Sequence, residues 1–176
     1  KSNFDLMPGN GFDIKSFTYI LEHSWQWVLK IPTHEKLWDI PFYYPYKNTL
    51  AFSDALIGIM PLYWLIRIFT KNPFDAIQIL MPLMCILNYF CFYYLLKKQL
   101  KYSDLSSSIG AFIFAFGIMR YYRMVHLNYY SQYLTILSLI FLTKINVLNS
   151  RFKNNIYFLL TVSFLALQIY SCYTLG

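Results

Sequence analysis

AIQILMPLMCILNYFCFYYLL, residues Ala76 to Leu96, runs for 21 residues without a charged side chain. At about 1.5 Å of rise per residue a helix of that length covers roughly 30 Å, the thickness of a bilayer's hydrocarbon core. A helix on the surface of a soluble domain buries one stripe and wets the other. Here Ile77, Ile79, Leu80, Leu83, Met84, Ile86, Leu87, Phe90, Phe92 and Leu95 leave no polar face. The stretch reads as a membrane span, and membrane lipids are the expected surroundings.

Working outward, the whole chain has the same character: 57% hydrophobic, 21% aromatic, 13% charged, with a mean hydropathy of +0.39. A soluble domain carries about 25% charged residues. Lysine and arginine exceed aspartate and glutamate by 15 to 8, a balance that suits nucleic acid or the cytoplasmic loops of a membrane protein. In so apolar a chain the second reading prevails, and no nucleic-acid partner is expected. Lys1 is not an initiator methionine and Gly176 falls within the apolar stretch Ile156 to Leu175, so the expectation is a fragment with a helix upstream. Lys1 to Asn10 are polar and lack the apolar core of a signal peptide. Cys85, Cys91 and Cys172 lie in apolar runs without metal-ligand spacing and read as small core hydrophobes, with no disulfide.

The expected fold is all-α: a polytopic transmembrane helical bundle with an N-terminal extracytoplasmic loop containing interfacial helices. Residues 1–49 hold five of the eight acids, two of the three histidines and three of the four tryptophans, which marks them as water-facing. Within them, Phe17 to Leu29 reads as a mostly apolar helix of about 15 residues, too short to span and suited to the membrane interface. Pro41 and Pro45 bracket an extended aromatic stretch, Phe42 to Tyr44. Residues 50–176 form the transmembrane region, with spans near 75–96, 104–119, 128–143 and 156–175. Residues 50–69 contain Asp54, Pro61 and Arg67, and a charge at the bilayer centre costs about 2.5 to 3.5 kcal/mol. That segment therefore reads as broken or re-entrant.

Basic loops set the orientation. Lys97, Lys98 and Lys101 follow the first span, and alternation puts Lys144, Arg151 and Lys153 on the same side against Arg120 and Arg123 opposite. The larger group marks the cytoplasm. Residues 120–126 are then extracytoplasmic, joined there by the N-terminal loop only if residues 50–69 do not cross.

Candidate chemistry sits in few places. Arg120, Arg123 and His126 gather three cationic side chains within seven residues at a bilayer surface. They suit either a snorkelling interfacial turn or an anion clamp, because guanidinium donates in a planar fork to phosphate and imidazole adds a proton near neutral pH. Asp13 follows Gly9-Asn10-Gly11, whose glycines permit a tight turn, and reads as a helix cap, a solvated charge or a base. Asp39 beside Trp38 is a second carboxylate for acid–base work or ligand binding. Asp54, set among Ala51, Phe52, Ala55, Leu56 and Ile57, must pair, neutralise itself, cap a helix or face water. Glycine-rich phosphate loops, nucleophile elbows and zinc-spaced Cys or His pairs are absent from the sequence. Repeated acids inside the spans are absent too, which weighs against a proton-coupled transporter.

Four stretches, GNGFDIKSFTYILEHSWQWVL, FYYPYKNTLAFSDALIG, KNPFDAIQIL and FAFGIMRYYRMVHLNYYSQYLTIL, resemble in order and spacing the motifs of bacterial polytopic membrane proteins of the GT-C glycosyltransferase superfamily. The resemblance implies a helix before Lys1, an extracytoplasmic loop over residues 1–49 and a juxtamembrane element over residues 50–69. It also implies sugar transfer, with inversion, from a polyprenyl-phosphate carrier to an acceptor hydroxyl, in a bacterial inner membrane. It departs at Asn10, which stands where the family has an acid and cannot serve as a base; Asp13 matches the second family acid. Gly117 and Ile118 likewise replace a serine and a proline. By that resemblance Asp13 is the catalytic base, with Asp39 a further acid. Arg120, Arg123 and His126 hold the phosphate, while Asn10, Tyr44 and Asp54 contact substrate. The cofactor stays open, a divalent cation included, as does the oligomeric state. A non-catalytic membrane subunit or assembly factor with the same fold, or a transporter of a lipid-linked or anionic solute, are the competing readings.

The topology is directly testable with the native cysteines replaced by alanine. A cysteine introduced at Lys98 should react with a membrane-impermeant maleimide only from the cytoplasmic side, and one at Tyr122 only from outside; the reverse pattern overturns the orientation.

Overall fold

The computed structural model describes residues 12–41, 44–118, 122, 126–145 and 150–172. Among the described residues six α-helices carry the architecture: α1 (Phe12–Val28), α2 (Met60–Phe69), α3 (Pro73–Tyr94), α4 (Asp104–Phe116), α5 (Tyr133–Thr143) and α6 (Arg151–Ser171). Short 3₁₀ turns lie at Pro32–His34, Thr49–Phe52 and Leu127–Gln132, and there is no strand among the described residues. The all-α expectation holds.

The uncharged run forms α3. Its start is written in the sequence: Asn72 caps it by accepting from the Phe74 N–H at 3.0 Å, Pro73 fills the first turn where no N–H is needed, and Asp75 sits at the positive end of the helix dipole. The helix continues through Pro82 and closes in a π-helical turn, Leu95–Gln99. With that turn it is 27 residues, long and apolar enough to cross a membrane, and it alone among the described residues meets that description. Ala76, Ile77, Leu80, Met81, Met84, Cys85 and Asn88 form its buried face, spaced three and four apart. Its other face stays apolar while exposed, with Ile79, Ile86 and Phe90 uncovered. A soluble core helix would bury both faces.

A tight hairpin returns the chain along α3. Lys97 Nζ meets Asp104 Oδ2 at 2.7 Å, Tyr93 donates its hydroxyl to Asp104 Oδ1 at 2.9 Å, and Ser103 caps α4. Small residues let the two helices approach: Ala111 and Ala115 are buried, and a Cβ on Gly110 would lie 2.9 Å from Leu96. Phe92 stacks on Phe114 with centroids 4.4 Å apart. The second hairpin, α5 with α6, is held by Ser138 Oγ donating to Thr161 O at 3.0 Å and by stacked Phe141 and Phe164.

Several boundaries differ from the sequence reading. α1 begins at Phe12, not near Phe17, because Asp13 suits its first turn and Ile14, Thr18 and Leu21 continue its buried stripe toward the N-terminus. α4 has 13 residues and α5 only 11, short of the spans expected near 104–119 and 128–143. In the second case the 3₁₀ turn at Leu127–Gln132 takes the place of helix. Residues 50–69 hold a 3₁₀ turn, a tight passage around Gly58 and then α2, which Pro61 begins instead of breaking. Cys85, Cys91 and Cys172 are thiols outside any disulfide.

α1 is tied to α2 by a cluster that spans 45 residues of sequence. Arg67 grips Glu22 with two parallel bonds, Nε to Oε2 and Nη2 to Oε1, both 2.8 Å, and Tyr63 donates to Oε2 at 2.7 Å. Arg67 Nη1 also donates to Thr70 O, while Trp64 Nε1 donates to Ser24 Oγ at 3.0 Å. The two charged side chains are only 10% and 16% exposed. Burial pushes the Glu22 carboxyl up, but the Arg67 and Tyr63 bonds outweigh it and hold it below its ordinary value.

Removing one partner of a buried pair costs about 3 kcal/mol, because the other charge stays buried. Arg67→Met should lower stability by that amount in thermal unfolding followed by tryptophan fluorescence, whereas Glu22→Leu, Tyr63→Phe and Arg67→Met together should recover most of it. The pair's contribution is present above the ordinary carboxyl value and lost as pH falls through the depressed one. Arg67→Met should therefore cost least in acid.

Candidate functional site

Two acids that the sequence singled out converge on one short segment. Asp13 lies in the first turn of α1, where the helix dipole favours a carboxylate. Its Oδ2 is 3.4 Å from Nδ1 of His126, which immediately precedes the 3₁₀ turn Leu127–Gln132. Both side chains are open to the surroundings, 54% for Asp13 and 35% for His126. Tyr129 meets the imidazole edge-on with centroids 5.6 Å apart.

Two residues beyond His126, Asn128 turns inward. Its Nδ2 donates to Asp54 Oδ2 at 2.6 Å, joining chain positions 74 residues apart, and also lies 3.4 Å from Cys172 Sγ. Ser131 Oγ donates back to the Asn128 carbonyl at 3.0 Å and accepts from Gln168 Nε2 at 3.2 Å. Asn88 of α3 donates to Tyr130 O at 2.8 Å. The 3₁₀ turn is thus gripped from α3, from α6 and from the segment before α2. That segment is confined: a Cβ on Gly58 would fall 2.4 Å from Leu134 and 2.6 Å from Ser171 Oγ, while Gly58 N donates to Ser171 Oγ at 2.8 Å. Tyr133 donates to Gly58 O at 3.1 Å. Three amide oxygens around the turn, Asn88 Oδ1, Asn128 Oδ1 and Gln168 Oε1, are buried without a hydrogen-bond partner in the structure. All are acceptors, so the interior around the turn has more acceptors than donors.

The other candidates are placed differently. Asp39 Oδ1 accepts from the Asn48 N–H at 2.6 Å, fixing the loop between residues 38 and 50. Tyr44 is 88% exposed. Nearby, Tyr46, Lys47, Thr49 and Phe52 line an open pocket of about 410 Å³. Asn10, Arg120 and Arg123 lie outside the described residues, as do the Gly9–Gly11 turn, Phe42 and Tyr43. Among the described residues no group of three or more His, Cys, Asp or Glu side chains is placed to hold a metal ion.

Sequence reasoning named Asp13, Asp54 and His126 but not Asn128, although it lies two residues from a named histidine. The signal was an asparagine and a serine, Asn128 and Ser131, in an otherwise aromatic and apolar stretch, since buried polar side chains need partners. Chemically, a carboxylate near Nδ1 favours the imidazole tautomer with its proton on that nitrogen, which would make Nε2 the accepting one. The chain matches no family model, no curated protein and no solved structure. The reading of the site therefore rests on its own residues.

Replacing Asn128 by aspartate puts two carboxylates in the 2.6 Å contact with Asp54. Asn128→Asp should lower the thermal midpoint at alkaline pH and regain much of it in mild acid, as one carboxyl takes a proton and donates to the other. A pH-independent loss would mean that the two side chains do not meet.

Proposed function

We propose that this chain belongs to an integral membrane glycosyltransferase of GT-C type, moving a sugar from a polyprenyl-phosphate carrier to an acceptor on the outer face of a bacterial inner membrane. The observation that carries the reading is the Asp13–His126 contact, which joins the acid of the first loop to the basic segment before α5. The long apolar α3 with its uncovered face supports a membrane span, and on this reading it belongs to a polytopic bundle in which residues 50–69 re-enter without crossing. On this reading Asp13 removes the acceptor proton, directly or through His126. Arg120 and Arg123 then stabilise the phosphate as negative charge develops on the leaving group. Membrane lipids and a lipid-linked sugar donor are the partners.

Asn10 favours a second reading from another class, a non-catalytic membrane subunit that keeps the fold. It predicts binding of polyprenyl phosphate without turnover by the wild-type protein.

The deciding assay uses the full-length protein in proteoliposomes, with a polyprenyl-phosphate sugar and extracted cell-envelope acceptors. Asp13→Asn should reduce transfer by about 10²- to 10⁴-fold, the usual contribution of a general base, while donor binding changes little. His126→Gln should fall in the same range. Transfer unaffected by Asp13→Asn removes the base assignment, and a wild-type protein that binds donor but never transfers favours the second reading.

A further inference from the structure

His23 and His34 stand apart from the site and make an unusual contact. His23 is on α1 and 1% exposed, while His34 ends the 3₁₀ turn that follows. Their Nδ1 atoms lie 2.6 Å apart, with the rings tilted at 51°. His23 Nε2 lies 3.0 Å from the Leu37 carbonyl. We infer that the two histidines form an acid-released clasp, which holds residues 34–37 against α1 until the pair takes up a second extra proton.

Counting protons gives the mechanism. A carbonyl can only accept, so His23 Nε2 carries a hydrogen and, in the neutral ring, His23 Nδ1 is a lone pair. His34 Nδ1–H then donates to it. A first proton goes to His34 Nε2 and leaves that bond in place. A second has to go to His23 Nδ1, where an N–H would face an N–H at 2.6 Å on a ring that is itself buried. The bond becomes a repulsion between two cations, and the segment carrying His34 is the part free to move.

The surrounding charges do little to offset this. Glu22, the neighbouring acid on α1, is already gripped by Arg67 and Tyr63 of α2. Asp39, beyond the 3₁₀ turn, favours a charged His23, as do hydrogen bonds to the Leu37 and Lys36 backbone. Burial outweighs them and lowers the His23 value; burial and then the neighbouring His23 charge lower that of His34, with Glu22 opposing. Both imidazoles therefore take protons more reluctantly when the clasp is closed. The open form gains protons first as pH drops below the ordinary value of about 6.5. The clasp is fully favoured above that value and weakens as pH falls toward the lowered ones.

The test is a distance measurement on the full-length protein in liposomes, with native cysteines replaced by alanine and spin labels at Lys15→Cys on α1 and Lys36→Cys in the segment. From about pH 8 to about pH 5, across the histidine range, the wild-type pair should pass from one narrow distance population to two, the longer one growing in acid. His34→Gln should hold one narrow population throughout, because a carboxamide can offer His23 either an N–H or a C=O and keeps the bond in both protonation states. His34 is partly exposed, so this substitution does not threaten folding. A wild-type distribution unchanged across the range overturns the clasp, as does a His34→Gln protein that opens at the same pH as wild type. Neither outcome depends on sugar transfer.

Discussion

α3 fixes the positions of the other elements. α1, α2, α4, α5 and the 3₁₀ turn at Leu127–Gln132 all contact it, while Ile79, Ile86 and Phe90 along it remain apolar and exposed. Polar groups taken out of water need partners inside the protein. The Asn88 amide N–H, midway along α3, finds one by donating to Tyr130 O, while its Oδ1 stays without one. That bond, with Ser131 and Gln168 behind it, lets a 3₁₀ turn sit where a continuous helix would be the simplest solution. The departure from regular helix is thus held in place by side chains on its neighbours.

The first loop depends on a different interaction. α1 is anchored by Glu22 in the grip of Arg67, and Asp13 lies nine residues earlier on the same helix, roughly 13 Å along its axis. A rigid helix transmits the position of one to the other. The ion pair at Glu22 and the buried Ile14 near the start of α1 together determine where Asp13 is presented. That is how an exposed acid on α1 comes to lie beside a histidine of the segment before α5.

Much of this was legible in the sequence because it is local. An uncharged run between Asp75 and Lys97, preceded by Asn72-Pro73, specifies α3 with its cap and its end, and Asp54, Pro61 and Arg67 argue against an unbroken helix over residues 50–69. The start of α1 was hidden because an apolar run reports the buried part of a helix, whereas Asp13, Lys15 and Ser16 belong to its solvated face. Long-range pairings left no local trace. Glu22 reads as one more acid of a polar loop and Arg67 as an obstacle to crossing, and only folding shows that each answers the other. Asn128 and Asp54 behave alike, each odd in its own apolar setting and explained by the other.

Asn10 then takes on a different weight. A lone carboxylate is a weak base near neutral pH, since its ordinary pKa lies near 4, whereas an imidazole with an ordinary value near 6.5 is better matched to accept a proton there. Asp13 Oδ2 stands 3.4 Å from His126 Nδ1, so on the proposed reading Nε2 is the nitrogen that would take the acceptor proton. An acid at position 10 would, on that reading, add a second base beside the Asp13–His126 pair, so an asparagine there bears less on proton transfer than on whatever else a carboxylate would do, such as binding a cation or an acceptor hydroxyl. On the proposed reading the chemistry belongs to the Asp13–His126 pair, and the Asp54–Asn128 bond keeps the segment carrying His126 in register with it.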